Sequence, residues 1–327
     1  MAESTSLGRR EFLIGIPSLL AARRLLAQAP AKPIRLRAYS HVALTVTDPN
    51  RSIDFYQGLF GLSVLTRAAD GGRLQIGAGP QYLDVSVNAA NPVPRIDRFC
   101  FSVDDFTMDG VLSTLQAHGV NRSTGQPGPM QVVRAADAPE VAIGDPDGIR
   151  FQLADAKFSR GSSRQASTTT GLLPAKDFSH VTVFVSDASR SNKFYRDLFG
   201  MPVRSMQGPN SPTLAVGAGV QFAMFAAGGG QTTRQPSINH VCLSVERFDQ
   251  DAIIKTLESY GIKPRDNQTG PVGPMRHYVS MRKEDRGGAK DGTPELYFTD
   301  PDGILVQVQD VTYCGGAGYL GNVCRVG

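Results

Sequence analysis

The sequence is poor in the groups that most often announce a chemistry. It has four cysteines and five histidines in 327 residues, and the cysteine spacing matches no zinc signature. No charge of one sign dominates. The 34 Lys and Arg against 30 Asp and Glu leave +4, with no basic stripe interleaved with aromatics, which argues against a nucleic-acid surface. No apolar run reaches the about 20 residues that span a bilayer; Phe12 to Ala22 is too short. The glycine-rich pieces, Gly228-Gly229-Gly230 among them, lack the strand-then-helix setting of a phosphate loop. No Ser-His-Asp or Cys-His arrangement follows from spacing.

What the chain does have is a repeat. SHVALTV at Ser40 to Val46 returns as SHVTVFV at Ser179 to Val185, FYQGLFG ending at Gly61 returns as FYRDLFG ending at Gly200, and DPDGIRFQ at Asp145 to Gln152 returns as DPDGILVQ at Asp300 to Gln307. The offset from His41 to His180 is 139 residues, the size of one domain. A hydrophobic content of 41% is that of a globular protein whose halves can each bury a core. Where the two copies agree, the residue is expected to serve the fold; where they differ, one copy carries the chemistry.

The ends read differently from the body. Gly8-Arg9-Arg10-Glu11-Phe12-Leu13 resembles the twin-arginine export motif, followed by a short apolar stretch and a small-x-small cleavage candidate at Ala29-Pro30-Ala31. An exported, periplasmic protein with no membrane span after processing is expected. Cys314 and Cys324 flank a glycine-rich tail and could pair in an oxidising compartment. Cys100 and Cys242 hold equivalent strand positions and read as inert buried thiols.

Each half divides again. His41 to Val46 alternates as a strand; Asp48-Pro49 is an N-cap with proline at the first helical position. Ile53, Tyr56, Leu59 and Phe60 form an apolar stripe ending at Gly61, a left-handed C-cap. Strands follow at 73–76 and 82–87. The second piece has a strand at 98–103, a helix over 105–118 and strands at 130–134, 140–143 and 149–153. The downstream half repeats the order, with strands at 180–185, 213–216, 221–225, 239–245, 275–281, 295–298 and 304–309 and helices over 189–199 and 249–260. Residues 157–176 have a linker composition. An insertion at Arg282 to Asp291 has no upstream counterpart and is expected as an exposed loop, a candidate lid.

Four β-α-β-β-β modules in series, carried by the repeated SHVALTV, FYQGLFG and DPDGIRFQ segments, resemble the vicinal oxygen chelate superfamily of glyoxalase I, bleomycin and fosfomycin resistance proteins and extradiol dioxygenases. The resemblance implies an α+β fold: four modules paired into two domains, each a curved, mostly antiparallel sheet with its helices outside. The expected boundaries are a signal segment at 1–31, a first domain at 37–156, a linker at 157–176, a second domain at 177–311 and a tail at 312–327.

In that family metal ligands project from the first strand of each module and from a last strand. Carried over, these places hold His180, His240 and Gln307 in the downstream half and His41, Arg98 and Gln152 in the upstream half. Extradiol dioxygenases have His, His and Glu there, a face suited to Fe(II) or Mn(II), with Zn a further candidate. A glutamine oxygen can still ligate but brings no charge. Arg98 stays protonated and cannot ligate, so the upstream half is expected to be structural or anion-holding, with Asp84 pairing Arg98. Tyr297, ten residues before Gln307, matches the family tyrosine that hydrogen-bonds a bound catecholate, and His277 is a candidate for a hydrogen bond or proton; these two are the catalytic candidates. Each residue also has a plainer reading: His180 and Gln307 have twins in His41 and Gln152, Tyr297 suits any strand, His277 any pocket, and Glu295, twin of Glu140, is expected to be structural with a fallback ligand role.

The leading expectation is a metal-dependent enzyme, most like an extradiol dioxygenase in layout, acting on a small oxygen-bearing molecule, aromatic ones included. A metal-free small-molecule binder of the bleomycin-resistance type is the alternative, with a pocket lined by Phe222, Met224 and Tyr297. A glyoxalase-like isomerase or lyase is third, because the strand that should bring an acidic ligand carries Phe222, Met224 and Phe225.

Overall fold

The computed structural model describes residues 32–136, 138–158, 170–227 and 235–324. The twin-arginine segment, most of the linker and the Gly228-Gly229-Gly230 run lie outside the described residues. Among those described, no helix is long and apolar enough to cross a membrane.

The upstream half runs β1 (Leu36–Thr45), α1 (Pro49–Phe60), β2 (Ser63–Ala68), β3 (Gly71–Gln75), β4 (Tyr82–Ser86), β5 (Arg95–Val103), α2 (Met108–Ala117), β6 (Asn121–Arg122), β7 (Gln131–Arg134), β8 (Glu140–Gly144) and β9 (Arg150–Asp155). The downstream half runs β10 (Ala175–Val185), α3 (Ala188–Phe199), β11 (Val203–Met206), β12 (Pro212–Ala215), β13 (Phe222–Ala227), β14 (Ser237–Val245), α4 (Gln250–Ser259), β15 (Lys263–Pro264), β16 (Arg276–Arg282), β17 (Thr293–Thr299) and β18 (Leu305–Asp310). Each half is one nine-stranded mixed sheet. The orders are β2-β3-β4-β1-β5-β9-β8-β7-β6 and β11-β12-β13-β10-β14-β18-β17-β16-β15, so the two sheets superpose strand for strand in their connectivity.

The caps explain the helix limits. Asp48 and Asp187 accept from Arg51 N and Arg190 N, and Gly61 and Gly200 take φ of 68° and 65°, where a Cβ would be strained. α2 starts three residues later than its apolar pattern predicts, because Asp105 has φ 52° and Thr107 caps the helix instead.

Strand alternation sorts residues between two faces. On β10, β14 and β18, Val181, Val183, Val241, Leu243, Val306 and Val308 enter the core, while His180, Thr182, His240 and Gln307 occupy the opposite, concave face. The two cores are not separate: one continuous apolar cluster spans both halves, and the described residues from Pro33 onward form one compact unit. The first helix of each half supplies the join. Phe55 and Phe60 of α1 meet Phe298 of β17 at 6.2 and 5.8 Å between ring centroids. Reciprocally, Tyr195 and Phe199 of α3 meet Phe151 at 5.5 and 6.0 Å.

The DPDG turns complete this exchange. Asp300 Oδ1 accepts from Asp302 N and Ile304 N, which closes its own turn, while Oδ2 accepts from Tyr56 Oη at 3.0 Å across the halves. Asp145 does the same for Asp147 N, Ile149 N and Tyr195 Oη. Asp302 accepts from Thr47 N and Arg51 at the start of α1, and Asp147 from Ser186 N and Arg190 at the start of α3. The repeated motif thus fastens each half to the other.

Burial pushes the carboxyls of Asp145 and Asp300 up to about 6. A raised carboxyl contributes stability below its unfolded value near 4 that is lost as pH rises through about 6. Asp300→Asn removes that titration and keeps an acceptor for the turn. In urea unfolding, the stability of Asp300→Asn relative to wild type should improve from pH 4 to pH 7, by up to about 3 kcal/mol. A difference independent of pH would contradict the assignment.

Candidate metal centre

The concave face of the downstream sheet collects the predicted ligands. His180 Nε2 lies 3.3 Å from His240 Nε2 and 3.1 Å from Gln307 Oε1. All three side chains are buried. They converge because β10, β14 and β18 are adjacent strands: His180 pairs Cys242, which pairs Gln307, and Thr182 pairs His240.

Two β-bulges aim the imidazoles. Along the β10–β14 ladder the register skips Ser179 between Phe178 and His180, and Asn239 between Ile238 and His240. A bulge lets side chains of consecutive residues meet. Ser179 Oγ lies 3.2 Å from His180 Nδ1, and Asn239 Oδ1 lies 2.8 Å from His240 Nδ1. An amide oxygen only accepts, so it sets the His240 proton on Nδ1 and leaves a lone pair on Nε2. His180 stacks on Phe222 at 4.3 Å between ring centroids, and His240 meets the Tyr297 ring edge-on at 5.3 Å.

Burial holds the His240 imidazole down at about 4 and, together with neighbouring His240, holds His180 well below the usual histidine range. Both rings are therefore neutral at pH 7, the form that ligates a metal. Ligand atoms sit about 2.0–2.2 Å from a first-row transition metal, which puts neighbouring donors about 3 Å apart, close to the separations found here. Gln307 presents Oε1 to His180, while its Nε2 is buried with no hydrogen-bond partner. The donor set therefore fits a small divalent ion in spacing and protonation. It supplies no negative charge, and among the described residues no three His, Cys, Asp or Glu side chains converge on one point.

A second buried network lies behind the imidazoles. Arg282, fully buried, donates from Nε to Glu295 Oε1 at 2.7 Å and from Nη2 to Gly316 O at 2.9 Å. Tyr313 Oη and Tyr297 Oη also donate to Glu295, at 3.1 and 3.3 Å. Burial and the neighbouring Glu295 carboxylate push the Tyr297 phenol well above its usual value. Glu295 is thus engaged by Arg282 and two phenols. Arg282 ends strand β16 and is buried, contrary to its expected place in an exposed insertion; the exposed part begins at Lys283.

His277 is not brought to this site. It lies on the opposite face of β16, buried, with Nε2 3.3 Å from Glu258 Oε1 of α4. Its neighbour Tyr278 is the one on the concave side, stacked on Tyr297 at 5.1 Å. Strand alternation makes the two positions exclusive. Ser179, Asn239, Arg282 and Tyr313 are site residues that spacing did not single out. The Ser-His and Asn-His dipeptides were visible, but a bulge was needed to make adjacent residues partners.

The tail covers the cup. Tyr313 sits 5.6 Å from the His180 ring and 5.9 Å from Phe222, and Cys314 is disulfide-bonded to Cys324. Thr293 Oγ1 donates to Gly318 O at 2.7 Å. Cys100 and Cys242 are buried and take no part in the disulfide.

The upstream cup has the same frame with other contents. His41 Nε2 lies 3.0 Å from Gln152 Oε1, and the third place is filled by Arg98, whose Nε donates to the same oxygen at 2.7 Å. Arg98 Nη2 pairs Asp84 at 3.1 Å. A guanidinium thus stands where the downstream cup has the His240 imidazole.

The family model of the Glyoxalase/Bleomycin resistance protein/Dioxygenase superfamily matches residues 38–153 and 177–308. The chain belongs to that superfamily. Its fold is similar to the Mn(II)-bound glyoxalase from Novosphingobium aromaticivorans, at 17% identity and a TM-score of 0.62, over 84% of this chain and 82% of that one. It is also similar to homoprotocatechuate 2,3-dioxygenase from Brevibacterium fuscum in complex with 3,4-dihydroxyphenylacetate, at 19% identity and 0.62, over 87% and 84%. A room-temperature structure of an extradiol ring-cleaving dioxygenase from B. fuscum matches at 18% and 0.60, over 91% and 76%.

Removing one partner of a buried ion pair strands the other charge, at about 3–5 kcal/mol. Arg282→Met should lower the unfolding free energy by that amount in urea titrations, and adding Glu295→Gln should recover a large part of it. A loss that the second substitution leaves unchanged would show that Glu295 is not the group Arg282 neutralises.

Proposed function

We propose that the downstream half binds one divalent transition metal through His180 Nε2, His240 Nε2 and Gln307 Oε1, and acts as a metal-dependent enzyme on a small oxygen-bearing substrate, with an extradiol-dioxygenase-like layout. The observation that carries this is the convergence of two neutral imidazole Nε2 atoms and an amide oxygen at 3.1–3.3 Å, with the proton of His240 held on the far nitrogen by Asn239. Acceptors gathered at that spacing repel one another unless a cation or a proton lies between them. The metal, of the Fe(II), Mn(II) or Zn(II) class, would supply Lewis acidity toward adjacent substrate oxygens.

The chain's own residues supply the rest. Phe222 and Tyr313 wall the imidazoles off from water, which strengthens electrostatic interactions within the cup. Tyr297, its ring against His240, would turn its one O–H from Glu295 to a substrate oxygen, and it keeps its proton at neutral pH. The fold relatives include Mn(II)-bound and catechol-complexed proteins, which supports the class of metal and substrate.

One observation favours a second reading, a metal-free binder: no carboxylate is among the donors. Metal titration separates the two. Apoprotein titrated with Mn(II) or Co(II) should take up one equivalent, His240→Ala should take up none, and Gln307→Glu should bind at least about tenfold more tightly, since it adds the missing charge. Failure of wild type and of Gln307→Glu alike to bind any of these ions would leave the binder reading. Oxygen uptake with a catechol by the loaded protein tests the dioxygenase layout.

A further inference from the structure

The upstream cup differs from the downstream one at a small set of matched positions, and the differences act together. Where the downstream sheet has His240, Asn239, Leu305 and Tyr297, the upstream sheet has Arg98, Asp97, Arg150 and Ala142. Asp97 is the bulged residue of the β1–β5 ladder, as Asn239 is of β10–β14. It accepts from Arg98 Nη1 at 3.2 Å, from Arg95 Nη2 at 2.7 Å and from Arg150 Nη2. The carboxylate therefore acts as a brace that holds two guanidinium groups, Arg98 and Arg150, side by side. Replacing a tyrosine by Ala142 leaves open the space that Tyr297 fills downstream.

That space is a cavity of ≈ 640 Å³, lined by Thr45, Asn88, Arg98, Gln126, Arg150 and Gln152 among others. The volume lies in the range of small-molecule sites. Arg98 commits Nε to Gln152, one Nη1 hydrogen to Asp97 and one Nη2 hydrogen to Asp84. A guanidinium has five N–H donors, so two are left for a ligand. Arg150 spends Nη1 on Gln126 and Nη2 on Asp97, which likewise leaves donors. The charge lining the cavity is asymmetric: Arg98 and Arg150 stand against Asp97, one positive charge in surplus.

We propose that the upstream cup is a second binding site, independent of any metal, for a small organic monocarboxylate, held by Arg98 and Arg150 with its body in the space left by Ala142. Planar guanidinium groups recognise a carboxylate through paired N–H donors, and one surplus charge matches a monoanion.

Calorimetry of the full chain in EDTA with benzoate, and with its neutral isostere benzamide, tests this. Benzoate should bind, with benzamide at least about tenfold weaker. Arg150→Leu, which installs the downstream residue on a quarter-exposed side chain, should weaken benzoate about tenfold or more without changing the melting temperature appreciably. Arg98→Gln should do the same if it folds, and His240→Ala should leave benzoate binding unchanged. The proposal is overturned if benzoate shows no binding up to about 10 mM, if benzamide binds equally, if Arg150→Leu has no effect, or if binding is lost in His240→Ala.

Discussion

Tyr56 and Tyr195 reach from the first helix of one half to the buried aspartate of the other half's DPDG turn, Asp300 and Asp145. Each aspartate spends one oxygen on its own turn and the other on the partner helix, so neither half is complete by itself. Around these two contacts the helix aromatics of each half pack on the other half's sheet. The scaffold is therefore fixed on the convex faces, in a core common to both sheets. The concave faces carry none of these contacts between the halves, which is why the two cups can differ in chemistry while strand order and bulges stay the same.

Both cups share one pairing: a glutamine oxygen and a histidine nitrogen, Gln152 with His41 or Gln307 with His180, lie within hydrogen-bond distance across one intervening strand, beside a third group at the centre of the cup. Upstream the centre is covalent: Arg98 donates into the glutamine oxygen and is balanced by Asp84 and Asp97. Downstream His240 offers a lone pair in place of a cation, and the balancing carboxylate, Glu295, is already taken by Arg282. On the proposed reading the downstream centre is a metal ion, and the same bulge residue that braces the arginine upstream, Asp97, becomes Asn239, a neutral orienter of an imidazole.

Much of this was legible in the sequence. The repeats, the helix caps at Asp48 and Gly61, the core aromatics of α1 and α3 and the convergence of His180, His240 and Gln307 follow from spacing and from the family pattern. What was hidden depends on register. β2 and β11 escaped delineation because Ser63–Ala68 and Val203–Met206 mix polar and apolar residues on a sheet edge. His277 and Tyr278 exchange roles under a one-residue change of face, which sequence alone leaves undetermined at a strand end. Arg282 lies in a charged stretch, and nothing local distinguishes it from Lys283; its burial comes from Glu295 and from the tail folding back through Tyr313 and Gly316. The reason DPDG occurs twice is tertiary, since its partner is a tyrosine more than 200 residues distant in one case.

Anomalous diffraction from crystals soaked with Mn(II) addresses the asymmetry of the two cups most directly. One strong peak should stand between His180 Nε2, His240 Nε2 and Gln307 Oε1, with none beside Arg98. No peak at the imidazoles, or a peak in the upstream cup, would contradict it.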